Sequence, residues 1–319
     1  MTSVPISILV PVYRAEAWLP RFLDGLLRQD LPAGSEVVCV DDASPDDGAR
    51  LIAQAVPAFA DRGVDLRLLR HDENRGVSAA RQTLLEAARG EYVVYADPDD
   101  TADPGLYAGL LDAARRTGAD LVWEDFFEHG RRRRQDPASL GLAESVAGED
   151  LVCAILGGRL HGATWNKLLH RDFIRKAGAR FPAGRVGLCE DVDFLCQVLA
   201  AQPACAYVDG CHYHYETVGG SATHGLTAAS YDALRQVEGH LESVLATPRT
   251  RAALAAWKRG NRLSCFLQRA VDDAYFHDYV GTVRDLRGVA ANPLLKLCYW
   301  LAVRGLRRPM RSFYLMLRG

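Results

Sequence analysis

Two rhythms of apolar residues alternate along the first 130 positions. Ile6 to Val12 is a nearly continuous hydrophobic run, as a strand covered on both faces requires, and Trp18, Leu19, Phe22, Leu23, Leu26 and Leu27 then recur at helical spacing. The cycle repeats with a strand over Glu36 to Asp42 and a helix from Leu51 to Phe59. A shorter strand over Leu66 to Arg70 precedes an Ala-rich helix from Val77 to Arg89, whose Ala80, Leu84 and Ala88 share one face. Tyr92 to Tyr95 forms the next strand, Pro104 to Gly118 a helix, and Asp120 to Phe127 a further strand. Such alternation predicts an α/β fold with a mostly parallel central sheet flanked by helices and with ligands held at the carboxyl ends of its strands.

Beyond Phe127 the pattern loosens. Gly187 to Ala200 begins with Glu190-Asp191 and continues as an apolar helix, and Ala206 to Tyr215 alternates like a strand. From Leu226 to Leu286 the chain reads as helical. We therefore expect a main α/β domain over 1–218, divided into parts over about 1–103 and 104–218. A C-terminal helical appendage over 219–319 follows it.

Composition narrows the function classes. A net charge of −2 over 319 residues argues against nucleic acid as a partner held by overall charge. Eight cysteines without a CxxC pair point to reduced thiols rather than a disulfide framework or zinc site, and hence to a cytoplasmic protein. The apolar start lacks the basic segment of a secretory signal, and no stretch approaches the roughly 18 uncharged apolar residues of a membrane span. After Asp285 there are no acids, while Arg304, Arg307, Arg308, Arg311 and Arg318 alternate with large apolar residues. That basic amphipathic tail suits an anionic membrane surface, or packs on the protein or a second copy in a homodimer.

Candidate chemistry gathers at strand ends. Asp97-Pro98-Asp99-Asp100 closes the Tyr92 strand either as a solvated Asp-Pro turn or as three acids whose mutual repulsion a divalent cation relieves; oxygen ligands favour Mg²⁺ or Mn²⁺ over zinc. Asp42 stands at the end of the second strand, where a carboxylate can accept a hydrogen bond from the imide N–H of a uracil-like base, or serve with Ser44 as a helix-capping or turn residue. Pro11 and Tyr13 end the adjacent strand, and the tyrosine ring can stack on the same base or serve as a core aromatic. Asn74, Arg75, Gly76 and Arg81 supply a glycine turn, helix-start amides and two guanidinium groups suited to ribose or diphosphate oxygens, or else form a capped helix start with surface arginines. Neither GxGxxG nor GxxxxGK[ST] occurs, which disfavours dinucleotide and P-loop chemistry.

In order, Pro11-Val12-Tyr13, Val40-Asp41-Asp42-Ala43-Ser44, Asn74-Arg75-Gly76 with Ala80-Arg81, Asp97-Pro98-Asp99-Asp100 and Gly187 with Glu190-Asp191 resemble the motifs of the inverting glycosyltransferases of family 2. The resemblance implies the GT-A fold and single-sugar transfer, in the polysaccharide-building branch, from a nucleotide-sugar, usually a UDP-sugar, to a glycan or lipid-linked acceptor. It implies that Asp42 reads the base and that Asp97 and Asp99 are the DxD pair addressing ribose and metal-bound diphosphate, with Asp100 beside them. It also puts Asp191 in the role of general base, supported by Glu190. Trp165, Asn166 and Lys167 resemble a segment of that branch and suggest an acceptor contact, Trp165 stacking on a sugar and Lys167 meeting a phosphate, with a half-buried Trp beside an exposed Lys as the alternative. The resemblance makes 1–218 the catalytic domain, 1–103 its nucleotide-sugar-binding half and 104–218 its acceptor half. The family's Tyr-x-Tyr-Arg pattern is replaced by Tyr213-His214-Tyr215-Glu216, which leaves His214 or His224 as a substitute near the metal, while a structural role for His212 and His214 remains the alternative. Arg131 to Arg134 is either a solvated hairpin tip or an acceptor contact. The competing functions are a sugar-phosphate nucleotidyltransferase, which normally carries a Gly-rich loop where this chain has Tyr13-Arg14-Ala15-Glu16, and a non-catalytic nucleotide- or glycan-binding module.

Overall fold

The computed structural model describes residues 4–184, 186–216 and 228–267. Its first part runs β1 (Ile6–Val12), α1 (Leu19–Leu27), β2 (Glu36–Asp41), α2 (Gly48–Asp61), β3 (Asp65–Arg70), α3 (Val77–Ala87) and β4 (Tyr92–Tyr95). The second part runs β5 (Thr101–Ala102), α4 (Leu106–Thr117), β6 (Leu121–Glu128), β7 (Arg131–Arg133), α5 (Gly148–Leu156), β8 (Lys167–His170), α6 (Arg171–Ala177), α7 (Glu190–Ala200) and β9 (Cys205–Tyr215). Two helices, α8 (Ala228–Val244) and α9 (Pro248–Leu267), complete the described chain.

One sheet joins all the strands in the order β3-β2-β1-β4-β8-β6-β9-β5, with β7 hairpinned onto β6. Every residue of β1, β2 and β4 is buried, which is why these segments read as unbroken apolar runs. Their alternating side chains feed two cores. Ile6, Ile8, Val10 and Val12 pack with α1, α2 and α4 on one face, whereas Leu9, Val38, Val40, Val93 and Tyr95 pack with α3, α5 and α7 on the other. The expected α/β sheet is therefore present. Its parallel run is confined to β3-β2-β1-β4, because β8 enters antiparallel to both β4 and β6. From there the sheet is mixed, with β6 parallel to β9 and β5 antiparallel to it.

The arginine run forms the exposed strand β7, a hairpin partner of β6. Three of its cations are paired with nearby acids: Arg132 with Asp125 and Asp209, Arg133 with Glu128, and Arg134 with Asp136. Cys39, Cys153, Cys189, Cys196, Cys205 and Cys211 are free thiols. Among the described residues no helix is long and apolar enough to cross a membrane. The basic tail and His224 lie outside the described residues.

Helices α8 and α9 pack on α7 and α5. Val237, Leu241, Leu245 and Leu254 are buried in the same core as Phe194, Leu195 and Leu199 of α7. The two helices therefore close the face of the sheet that carries α7. Leu241 is fully buried. Leu241→Ala is expected to lower stability by roughly 2–5 kcal/mol in urea unfolding through lost transfer energy and the cavity left behind. An unchanged midpoint would show that α8 contributes nothing to this core.

Candidate active site

The carboxyl ends of β1, β2, β3 and β4 lie along one edge of the parallel run, and their loops are tied together by hydrogen bonds. At the first tip Tyr13 is 43% exposed, with the Arg14 guanidinium 5.4 Å from its ring centroid. Arg14 and Ala43 both adopt left-handed backbone conformations, a strain held here by the Arg14 N–H donating to Ser44 Oγ at 2.9 Å.

Asp42, one residue beyond β2, is 2% exposed. Its Oδ1 accepts from the Arg75 amide (2.9 Å) and lies 2.6 Å from His71 Nδ1, while Oδ2 accepts from the Gly76 amide (2.7 Å). Gly76 enters α3 at φ +88°, a conformation that disfavours any side chain. The Asn74–Gly76 turn is thus folded around the Asp42 carboxylate. Asn74 adds a bond to the Asp42 carbonyl at 3.3 Å, and the Arg75 side chain remains exposed.

At the end of β4 the acids divide. Asp97 faces Arg81 (3.2 Å), with its side chain 24% exposed. The Asp99 backbone carbonyl accepts from Arg21 at 2.9 Å, and its carboxyl is raised by burial and then by Asp97. Asp100 turns inward: Oδ2 accepts from the Tyr213 hydroxyl at 2.6 Å and Oδ1 from the Glu216 amide at 2.7 Å. Burial first, then Asp97, push its carboxyl up to about 8. Both oxygens are engaged in holding the loop to β9, so Asp100 positions the other two acids and is not available as expected for a metal. Asp97 and Asp99 could hold a divalent ion. Among the described residues no three His, Cys, Asp or Glu side chains are grouped to hold one by themselves. A magnesium-like ion suits that donor set, since it takes one or two carboxylates and completes its shell with substrate phosphate and water.

Helix α7 starts at Glu190, after Cys189 in a left-handed conformation. Arg81, 5% exposed on α3, reaches across to it. Its Nη1 lies 2.5 Å from Glu190 Oε1 and 2.9 Å from Asp191 Oδ1, and its Nη2 faces Asp97. Burial lowers the Arg81 pKa, but Asp191, Asp97 and Glu190 outweigh it and fix the charge. Burial raises the Asp191 carboxyl to about 7 against the pull of Arg81, and Glu190 and Asp97 add to the rise. Thr164 Oγ1 approaches Asp191 Oδ1 at 3.4 Å from a loop that packs closely under α7; a Cβ at Gly162 would stand 2.6 Å from Val192.

The structure corrects the expectation for the Trp-Asn-Lys triplet. Trp165 is 2% exposed, stacked on Tyr213 at 4.2 Å and on Tyr215 at 5.8 Å, so its ring is not free for a sugar. Asn166 is fully buried and donates to the Glu124 carbonyl. Lys167, 1% exposed, donates to the carbonyls of His161 and Ala163 and to Asn166 Oδ1 at 2.7–2.9 Å. Burial lowers its ammonium to about 7. Apolar packing and carbonyl bonds thus take the three side chains from direct acceptor contact, and the loop before them meets Asp191 through Thr164. His214 is also corrected: its Nε2 pairs with Asp103 at 2.8 Å and its ring stacks on Phe127, which commits it away from the acidic pair. His212 pairs with the buried Glu124. Sequence reasoning missed Arg21, Thr164, Tyr213 and His71. The last was within reach, because the parallel register aligns Asp41 with Arg70 and so brings the next residues, Asp42 and His71, together.

A family model for glycosyl transferase family 2 matches residues 7–177. Among curated proteins, the chain is 33% identical over 181 residues to the uncharacterized glycosyltransferase EpsJ of Bacillus subtilis, covering 55% of this chain and 51% of that one. It is 28% identical over 236 residues to the succinoglycan biosynthesis protein ExoO of Rhizobium meliloti, covering 72% and 65%. The chain thus spans about half to two thirds of the length of these relatives. In fold it is similar to Staphylococcus aureus TarS 1-349 solved with UDP-GlcNAc, at a TM-score of 0.69 and 17% identity, covering 99% of this chain and 92% of that chain. It is also similar to a mannosyltransferase of Pyrobaculum calidifontis in complex with GDP-Man and Mn²⁺, at a TM-score of 0.52, 18% identity and coverage of 98% and 86%.

Removing the Arg81 charge strands three partly buried carboxylates. Arg81→Met is expected to cost roughly 3–5 kcal/mol at pH 8. Carboxyls raised in the folded state take up protons as pH falls, so stability is regained toward acid, and the deficit should narrow between pH 8 and pH 5.5. A deficit independent of pH in parallel denaturation series would point to lost packing instead.

Proposed function

The chain belongs to glycosyl transferase family 2, and from that premise we propose that it transfers one sugar, with inversion, from a UDP-sugar to a hydroxyl of a glycan or lipid-linked acceptor. The observation that carries this reading is the reach of Arg81. One guanidinium touches Asp97, on the strand end suited to a donor diphosphate, and Glu190 and Asp191, at the start of α7. Donor and acceptor chemistry are thereby brought into one site.

Each residue has a role in this proposal. Tyr13, exposed beside Asp42, offers a face for the base, and the exposed guanidinium of Arg75 lies at the turn where the diphosphate would pass. Asp97 and Asp99 hold Mg²⁺ or Mn²⁺, which when bound neutralises the leaving diphosphate. The local charge favours a cation: Asp97, Glu190 and Asp191 share one buried arginine, and burial and the neighbouring Asp97 raise the Asp99 carboxyl. Asp191 takes the acceptor proton as the oxygen attacks the anomeric carbon, and Arg81 and Thr164 hold it in place. A carboxyl raised to about 7 is a stronger base than an ordinary aspartate while still being largely ionised above neutrality. ExoO, a succinoglycan biosynthesis protein, and TarS, solved with UDP-GlcNAc, support the reading of a glycan product and a UDP-sugar donor.

Screening nucleotide-sugars for donor hydrolysis and transfer tests the reading directly; turnover of none would refute it. Asp191→Asn should retain UDP binding yet lose transfer by at least about a hundredfold. Because the base must be ionised, wild-type kcat/KM should fall as pH drops through about 7, and a flat profile from pH 5.5 to 8 would exclude Asp191 as the titrating base. Asp99→Ala should remove the stimulation by Mn²⁺ without unfolding the chain. Full activity of the wild type in EDTA would eliminate the metal role.

A further inference from the structure

We propose that His71 is a positioning residue that presents Asp42 to the donor base, and so makes the chain select a base with a ring N–H at that point. This rests on the nucleotide-sugar reading above. His71 directly follows β3, and its backbone N–H donates to the Asp41 carbonyl at 2.9 Å, which fixes it beside the end of β2. Its ring is buried, with Nδ1 2.6 Å from Asp42 Oδ1 and Nε2 3.0 Å from Thr83 Oγ1 on α3. An ionised carboxylate only accepts, so Nδ1 carries the proton in this pair, and a neutral ring then accepts the Thr83 hydroxyl at Nε2. The order Thr83, His71, Asp42 holds the carboxylate from behind, as a carboxylate holds a ligating histidine in metal sites.

The accounting of lone pairs gives this arrangement its selectivity. A carboxylate offers about four acceptor positions. At Asp42, His71 and the Arg75 amide use two on Oδ1, and the Gly76 amide uses one on Oδ2. One position on Oδ2 is left, and the Asp42 backbone N–H donates to the carbonyl of Val12 at 2.9 Å, next in the chain to the exposed Tyr13, whose ring can support a base. Uracil offers it an N3–H. Cytosine presents a lone pair at the same atom, which the carboxylate repels. Without His71 an Oδ1 position falls open, the carboxylate can turn, and the remaining acceptor loses its fixed direction.

The test compares binding of UDP and CDP, each with excess Mn²⁺, to the whole chain by calorimetry. The wild type should favour UDP by at least about tenfold, the worth of one charged hydrogen bond. His71→Phe, which keeps a ring but no donor, should bring the ratio within about threefold of unity. His71→Asn, whose amide can donate from near the Nδ1 position, should recover most of the preference. General loosening of the site would weaken both nucleotides in proportion and leave their ratio intact, so an unchanged ratio in a folded His71→Phe variant overturns the proposal. Equal binding of UDP and CDP by the wild type also overturns it. Binding of neither nucleotide by the wild type refutes the donor reading itself, a different failure.

Discussion

The arrangement of the site depends on one guanidinium buried among carboxylates. Arg81 has no exposure to spare for water, so its charge is maintained by Glu190, Asp191 and Asp97, and they in turn are kept close by it. Neither side is stable alone. A buried arginine without acids would carry the full desolvation penalty, and the acids without it would repel one another. Because the three carboxylates come from the loop after β4 and from α7, this cluster joins the parallel half of the sheet to the helical layer behind it. Its excess of negative charge also leaves a local demand for further cations.

A second tie fixes the acidic loop from the other side. Asp100 binds the Tyr213 hydroxyl and the Glu216 amide, and Tyr213 lies flat against Trp165. The aromatic stack thus reaches the backbone of the acidic loop through one phenol. Asp99, between Asp97 and Asp100, has its carbonyl held by Arg21 of α1. The loop after β4 is therefore anchored by α1, α3 and β9 at once, and its two outward acids are held by elements whose side chains fill both cores.

Much of this was legible in the chain itself. The alternation of apolar runs locates β1 to β4 and their helices, because strands buried on both faces leave no polar interruptions. The acids at their ends stand out for the same reason. The later strands were less visible: β5 has two residues and β8 four, too few to establish a period, and β8 begins at a buried lysine. Trp165 misled because an aromatic ring that stacks on tyrosine and one that stacks on sugar have the same local pattern. Asp42 and Arg81 were found by position, but the turn folded around one and the cluster gathered by the other depend on residues 16 to 110 positions away, whose proximity only the folded sheet establishes.

Lys167 illustrates a choice of side chain that local charge does not explain. The chain holds 38 lysines and arginines, only four of them lysine, and Lys167 is the first of these. Its partners are two carbonyl oxygens and an amide oxygen, all accepting from a single nitrogen. An ammonium spreads three N–H bonds tetrahedrally from one point, whereas a guanidinium distributes its donors around a flat fork. At every other site in the first 175 residues where a cation is used, the chain uses the fork. Here, a change that conserves charge would replace a point of convergence with a plane. The loop that meets Asp191 through Thr164 is shaped around the direction of those bonds as much as around their charge.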